Sequence, residues 1–250
     1  MPLPFLQPIR QALADGLRRF PLVILAGLLG TAAMIVLNHS DVETIDKLCF
    51  RMASAAAFAF PLLVAAVYAG ELFPRQRWLF QAAALLATWV TWQFLDPEKD
   101  GLTFLLVWIA AAAIASTVPG LVADSKSNWW RVNIGALNAL ILAQILTLVV
   151  LIGLLLAVES LRALFDLELS GIHVDVMAIC GFLVAPLAAI MLLPPAQEDL
   201  DARQPGFAVW RQFCQWALVP IGFLFTGILA AYAVRIVIER NLPDGMVALP

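Results

Sequence analysis

The sequence predicts an all-α fold, a polytopic transmembrane helix bundle of about seven spans with short interfacial amphipathic helices. Three observations carry this. First, 62% of the 250 residues are hydrophobic and only 13% are charged, with a mean hydropathy of +0.91, a balance foreign to water-soluble domains. Second, the apolar residues gather in seven runs, at roughly 20–38, 48–70, 78–95, 102–123, 132–158, 174–193 and 212–238. Each approaches the ~20 helical residues needed to cross about 30 Å of hydrocarbon. Third, the runs are continuous, as from Leu148 to Leu156, whereas barrel strands would alternate over segments of about ten residues. Short loops leave no room for a separate soluble core, so residues 1–250 form a single integral membrane domain.

Residues 5–20 place Ile9, Leu13, Leu17 and Phe20 on one helical face, with Arg10, Arg18 and Arg19 elsewhere. That pattern suits either a short helix lying on the membrane surface or a partly ordered lead into span one. The first run has no small-x-small cleavage pattern around Leu37–Asp41, so it is expected to be a retained span and not a cleavable signal. Span two carries Arg51 near one end and Pro61 near its middle. Pro61 has no N–H for the Ala57 carbonyl, and a kink is expected there. Alanines 53/57 and 55/59 form small-xxx-small pairs that let a neighbouring backbone come close. Span three is the least apolar, interrupted by Gln81, Thr88, Thr91 and Gln93, and its tryptophans 78, 89 and 92 sit toward its ends, as interfacial indoles do. Span four stops at Val118-Pro119-Gly120. Span five follows Trp129-Trp130-Arg131, and the stretch after Val158 puts Leu161, Leu164 and Phe165 on one face, as a second interfacial helix would. Pro186 and Pro220 interrupt spans six and seven.

The charge of −3 becomes informative once it is divided between the two sides. With a cytoplasmic N-terminus, nine of the 15 Lys and Arg residues fall inside and six outside, while 12 of the 18 acids fall outside. Lys and Arg set orientation, so the expected topology is N-terminus cytoplasmic, C-terminus outside, in the inner (plasma) membrane. The lipid bilayer is the expected environment, with a membrane-protein partner or a homo-oligomer compatible with the alanine-rich faces. No basic nucleic-acid face exists.

Two stretches resemble a known bacterial family, domain of unknown function 4153. One is Asn128-Trp129-Trp130-Arg131-Val132-Asn133, the apolar helix after it, and Leu161 to Leu167. The other is Ala217-Leu218-Val219-Pro220 through Tyr232 to Ile236, then Asn241 to Met246. The order of spans is also similar. Val132 departs from the aromatic usual at its place in the first motif. The resemblance implies an inner-membrane protein of which this chain is similar to the N-terminal portion, and it implies no activity.

Several polar residues inside or beside the runs call for an account. Arg51 lies about one turn inside its span, where it can snorkel to the headgroups or serve as an anion or counter-ion site. Arg235 is expected to pair with Glu239, one turn on. Arg131, Asn133 and Asn138 open span five, with Gln144 deeper. Asn133 and Gln144 share a face, which reads either as interhelical hydrogen bonding or as a polar lining. His39-Ser40-Asp41 and His173-Val174-Asp175 both fall at the outer side, and His39, Asp41, His173 and Asp175 are a weak candidate set for a cation such as zinc. Cys49, Cys180 and Cys214 show no metal or disulfide spacing.

The sequence has no P-loop, no H-E-x-x-H and no G-x-S-x-G, and no span has a carboxylate near its centre. No catalytic residue and no cofactor are expected. The residues point first to a non-enzymatic membrane protein for small-solute transport or permeation, or for support of a membrane assembly. The broken helices at Pro61, Pro186 and Pro220 favour a pathway. A membrane-embedded enzyme acting on lipid or envelope precursors is the alternative, with the His/Asp tripeptides as its sole candidates. A scaffold or sensor is the third, favoured by a tightly closed bundle.

Overall fold

The computed structural model describes residues 7–94, 109, 126–165, 171–193 and 219–239, and within these every regular element is helical. Helix α1 (Gln7–Arg19) ends at Phe20, whose backbone leaves the helical region (φ −124, ψ 50). Pro21 then opens α2 (Pro21–His39), where a missing N–H costs nothing. Arg18 and Arg19 occupy the last turn of α1, and Glu43 and Asp46 the first turn of α3 (Glu43–Leu72), both suited to the helix dipole. After a 3-10 turn at Pro74–Gln76 comes α4 (Arg77–Phe94).

Helix α5 (Lys126–Phe165) is one unbroken element of 40 residues. Leu161, Leu164 and Phe165 therefore continue span five and do not start a helix of their own. No glycine or proline lies between Leu154 and Phe165, so nothing in that stretch breaks the hydrogen-bond ladder. Helix α6 (Ile172–Ile179) starts from Gly171 in the left-handed conformation (φ +80). It passes through a π-helical turn at Cys180–Val184 into α7 (Ala185–Leu192). Pro186 explains that turn. It cannot donate to the Phe182 carbonyl, and the chain widens so that the Ala185 N–H reaches back five residues to Cys180. Pro61, by contrast, lies inside a continuous α3, and Pro220 lies in the first described turn of α8 (Val219–Glu239).

Five stretches are long and apolar enough to cross a membrane: Pro21–His39, Glu43–Glu71, Asn133–Phe165, Ile172–Leu192 and Val219–Ile236. They answer to five of the seven expected runs. The 78–95 run forms α4, a helix that Gln81, Thr88, Thr91 and Gln93 hold below that level of hydropathy. The 102–123 run lies outside the described residues, apart from Ile109.

Helices α2, α3 and α4 form successive antiparallel neighbours, α6 and its π turn lie against α2, α7 lies against α5, and α8 lies along α5. The main core joins Phe20, Val23, Leu63, Tyr68, Ile190 and Leu193 to Ala59, Ala66, Ala84 and Ala139. A second cluster sets Ala143 against Ala188 and Ala189. Alanines at these seams let helices approach closely, the usual means of association in lipid. The outer surface is the reverse of a soluble protein's: Phe223 is 76% exposed, Ile238 75% and Leu79 67%.

Candidate functional site

The polar groups gather at the two ends of the bundle. One end holds the start of α2 and the ends of α3 and α7. There the Arg19 guanidinium grips the Glu71 carboxylate with Nε and Nη2 and donates from Nη1 to the Leu193 carbonyl at 3.0 Å. The same group lies over the rings of Phe20 and Tyr68, 4.8 and 5.0 Å from their centroids. One planar fork thus joins α1, α3 and the end of α7. Gly16 of α1 rests on Ile190 and Met191, so α1 closes this end of the bundle.

The opposite end holds the C-terminus of α2 and the N-termini of α3 and α6. His39 Nε2 lies 2.8 Å from Asp175 Oδ2, and Asn38 Nδ2 donates both to Asp175 Oδ1 (2.9 Å) and to the Gly171 carbonyl (2.8 Å). A side chain at position 171 would collide with that same Asn38 amide and strain the backbone at φ +80. The structure therefore brings together one half of the expected tripeptide pair, His39 with Asp175. His173 goes elsewhere: its Nε2 lies 2.7 Å from Glu159 Oε1 on α5. Asp41 is exposed and belongs to neither pair. Each imidazole thus has its own carboxylate, and among the described residues no three His, Cys, Asp or Glu side chains converge as metal ligands. The arrangement ties the head of α6 to α2 on one side and to α5 on the other.

Arg51 stands apart, reaching from α3 to α4. Its Nη2 donates to the Trp92 carbonyl at 2.8 Å, and its Nε is buried without an acceptor. Trp92 lies near the end of the described part of α4. Arg235 donates to the Leu164 carbonyl and lies over the Phe165 ring, 5.6 Å from its centroid. The side chain of Glu239, its expected partner, lies outside the described residues. So does that of Arg131. Asn133 is half-buried, while Asn138 and Gln144 are exposed and line no space between described helices.

Six hydroxyls of the described helices are satisfied by their own helix. Thr31, Thr88, Thr91, Thr147, Ser160 and Thr226 each donate to the carbonyl four residues back, at 2.7–2.9 Å. The depression lined by Phe20, Pro21, Leu22, Val23, Leu63, Val67 and Gln81 is apolar and too narrow for one water molecule.

Sequence reasoning missed Arg19–Glu71, Asn38 and Glu159 as partners. Only the placement of an Arg and a Glu at the same expected membrane face hinted at the first. The chain matches no protein-family model, no curated protein and no solved structure.

Proposed function

We propose that this chain is a bacterial inner-membrane protein that supports a larger membrane assembly by offering lipid-facing helices to partner helices. The observation that carries this is the contrast between its interior and its surface. The described helices close on one another through alanine and glycine, and the Arg19–Glu71, His39–Asp175 and His173–Glu159 pairs meet at the two ends. Helix α8, in turn, has only 6% of its span buried. A permeation path would need polar groups facing a shared space, and Asn138 and Gln144 face outward. The resemblance to domain of unknown function 4153 fits the same placement in the membrane.

The seven-span count belongs to this proposal. Helix α4 ends beside Arg51, at the end of the bundle that holds His39. Helix α5 starts at the other end, since Ala139 joins the cluster around Leu193 and Glu159 meets His173. The apolar 102–123 run of the sequence has the length of one further span. Nine inner against six outer Lys and Arg residues put the Arg19 end in the cytoplasm, with α1 on the inner membrane surface.

A second possibility, transport, has one observation in its favour. The π turn at Cys180–Val184 is a deformable point inside a span, of a kind common at functional sites. Two measurements separate the readings. A photo-crosslinking amino acid at Phe223, Leu229 or Ile238 is expected to yield a discrete protein adduct in native membranes. Purified chain in sealed vesicles is expected to leave ion and small-solute gradients intact. Adducts to lipid alone together with a dissipated gradient would replace the assembly role by transport.

A further inference from the structure

We infer that Arg51 and the Trp92 turn of α4 form a binding site for the phosphate of an anionic phospholipid. This rests on the chain spanning a membrane and not on its role in an assembly. Arg51 and Asp46, both on α3, are the described residues with a buried side-chain atom left unpartnered, Arg51 Nε and Asp46 Oδ1. Among the described residues no carboxylate lies within ion-pair reach of Arg51, its Nε is buried with no acceptor, and its one hydrogen bond runs from Nη2 to the Trp92 carbonyl. One neutral carbonyl does not cancel a full positive charge. Arg235 shows the difference, because it has a carbonyl, an aromatic face and further contacts.

The depth of the group selects the ligand. Helix α3 has 30 residues and so runs about 45 Å, against about 30 Å of hydrocarbon. With the helix centred, the Arg51 Cα lies about 5 Å inside the hydrocarbon boundary, and its side chain ends at headgroup level. With Nε buried and Nη2 given to the Trp92 carbonyl, Nη1 is the donor left for a phosphate oxygen. Around it, apart from Lys47 one turn earlier, which pairs with Glu43, the surface is apolar and open: Leu48 is 50% exposed, Met52 36%, and Trp89, one turn before Trp92, 51%. An acyl chain would lie along these side chains, with the indole at the interface where indoles concentrate. A soluble anion would gain nothing from them, and a choline headgroup would bring a second cation toward Arg51.

The test uses the full chain in a neutral detergent. Dioleoylphosphatidylglycerol at about hundredfold excess over its Kd is expected to raise Tm by roughly 5 °C. Dioleoylphosphatidylcholine and inorganic phosphate at the same concentration are expected to leave it unchanged. Arg51→Gln should lose this increment while its lipid-free Tm stays level or rises, since an unmatched buried charge is removed. Arg77→Gln, at the opposite end, should keep the increment. An equal gain from phosphatidylcholine, a gain from phosphate alone, or an increment that survives in Arg51→Gln would each overturn the site. Should Arg51→Gln fail to accumulate, the wild-type chain decides the matter. Phosphatidylglycerol with a photoactivatable acyl chain should label the peptide containing Leu48–Met52 or the one containing Trp89, and labelling confined to other peptides, or a protein adduct there, would refute the assignment.

Discussion

The backbone carbonyl of Phe182 lies directly against the Cα of Gly27. A Cβ at position 27 would approach that oxygen to less than 3.0 Å, closer than real Cβ atoms come. Gly30, one turn on, faces the Phe182 ring in the same way, with the Ala56 methyl behind it. The oxygen is the one that Pro186 deprives of its usual donor, so the π turn and the glycines of α2 form a single joint. Gly27→Ala is expected to cost about 2 kcal/mol, because backbone cannot move aside as a flexible side chain can. Gly222→Ala and Gly227→Ala, which meet nothing within 4 Å among the described residues, should be neutral or gain about 0.5 kcal/mol from helix propensity. Detergent unfolding curves of the three variants check this; equal losses would mean that the joint is not tight.

Arg19 and Glu71 are expected to behave as a unit. Arg19→Gln and Glu71→Gln should each lower stability by about 2 kcal/mol, a value moderated by side-chain exposures of 20% and 28%. The double variant should lose clearly less than the sum. Strict additivity in unfolding measurements would show that the two charges act separately.

At the other end, Asn38 matters more than its histidine neighbour. Asn38→Ala removes the donor to both Gly171 and Asp175 and should cost about 1–2 kcal/mol. His39→Gln, at a side chain 53% exposed, should cost less than about 1 kcal/mol. Asn38→Asp should be worse than Asn38→Ala, since it sets a second carboxylate beside Asp175. The ranking of the three melting temperatures is the check.

Reporter fusions test the orientation. Fusions after residues 75 and 126 are expected to report the cytoplasm, and fusions after residues 41 and 171 the outside. Agreement of all four would fix the sides of the α2–α3 and α5–α6 connections. A periplasmic signal at both 75 and 126 would invert the bundle.

What was legible in the sequence was the part governed by solvent. Hydrocarbon demands long apolar helices, so the observed helices Pro21–His39 and Ile172–Leu192 lie within about two residues of the expected runs. The ends of α5 were not legible, because Lys126 to Arg131 are polar yet helical and hydropathy does not see helix beyond the membrane. Pro186 announced a break, but the choice of a π turn over a simple kink depends on the room that Gly27 and Gly30 make for Phe182. Arg51 was visible because it is a charge in an apolar run. Arg19 with Glu71 was not, since 52 residues separate them and the contact exists only once α1 folds back over α7. His39 and Asp175 were grouped from their spacing to the spans; His173 with Glu159 needed the antiparallel register of α5 and α6.

Helix α8 meets the rest of the described bundle chiefly along α5. Ile221 fills the space beside Gly153, Tyr232 meets the edge of Phe165 at 6.4 Å, and Arg235 reaches the Leu164 carbonyl. All these pins lie on one neighbour, so α8 hangs on α5 like a door leaf on its post. Detaching it would leave the Arg19 clamp and the α2–α6 joint untouched, and a docking helix could take its place along α5 without unfolding the remaining helices.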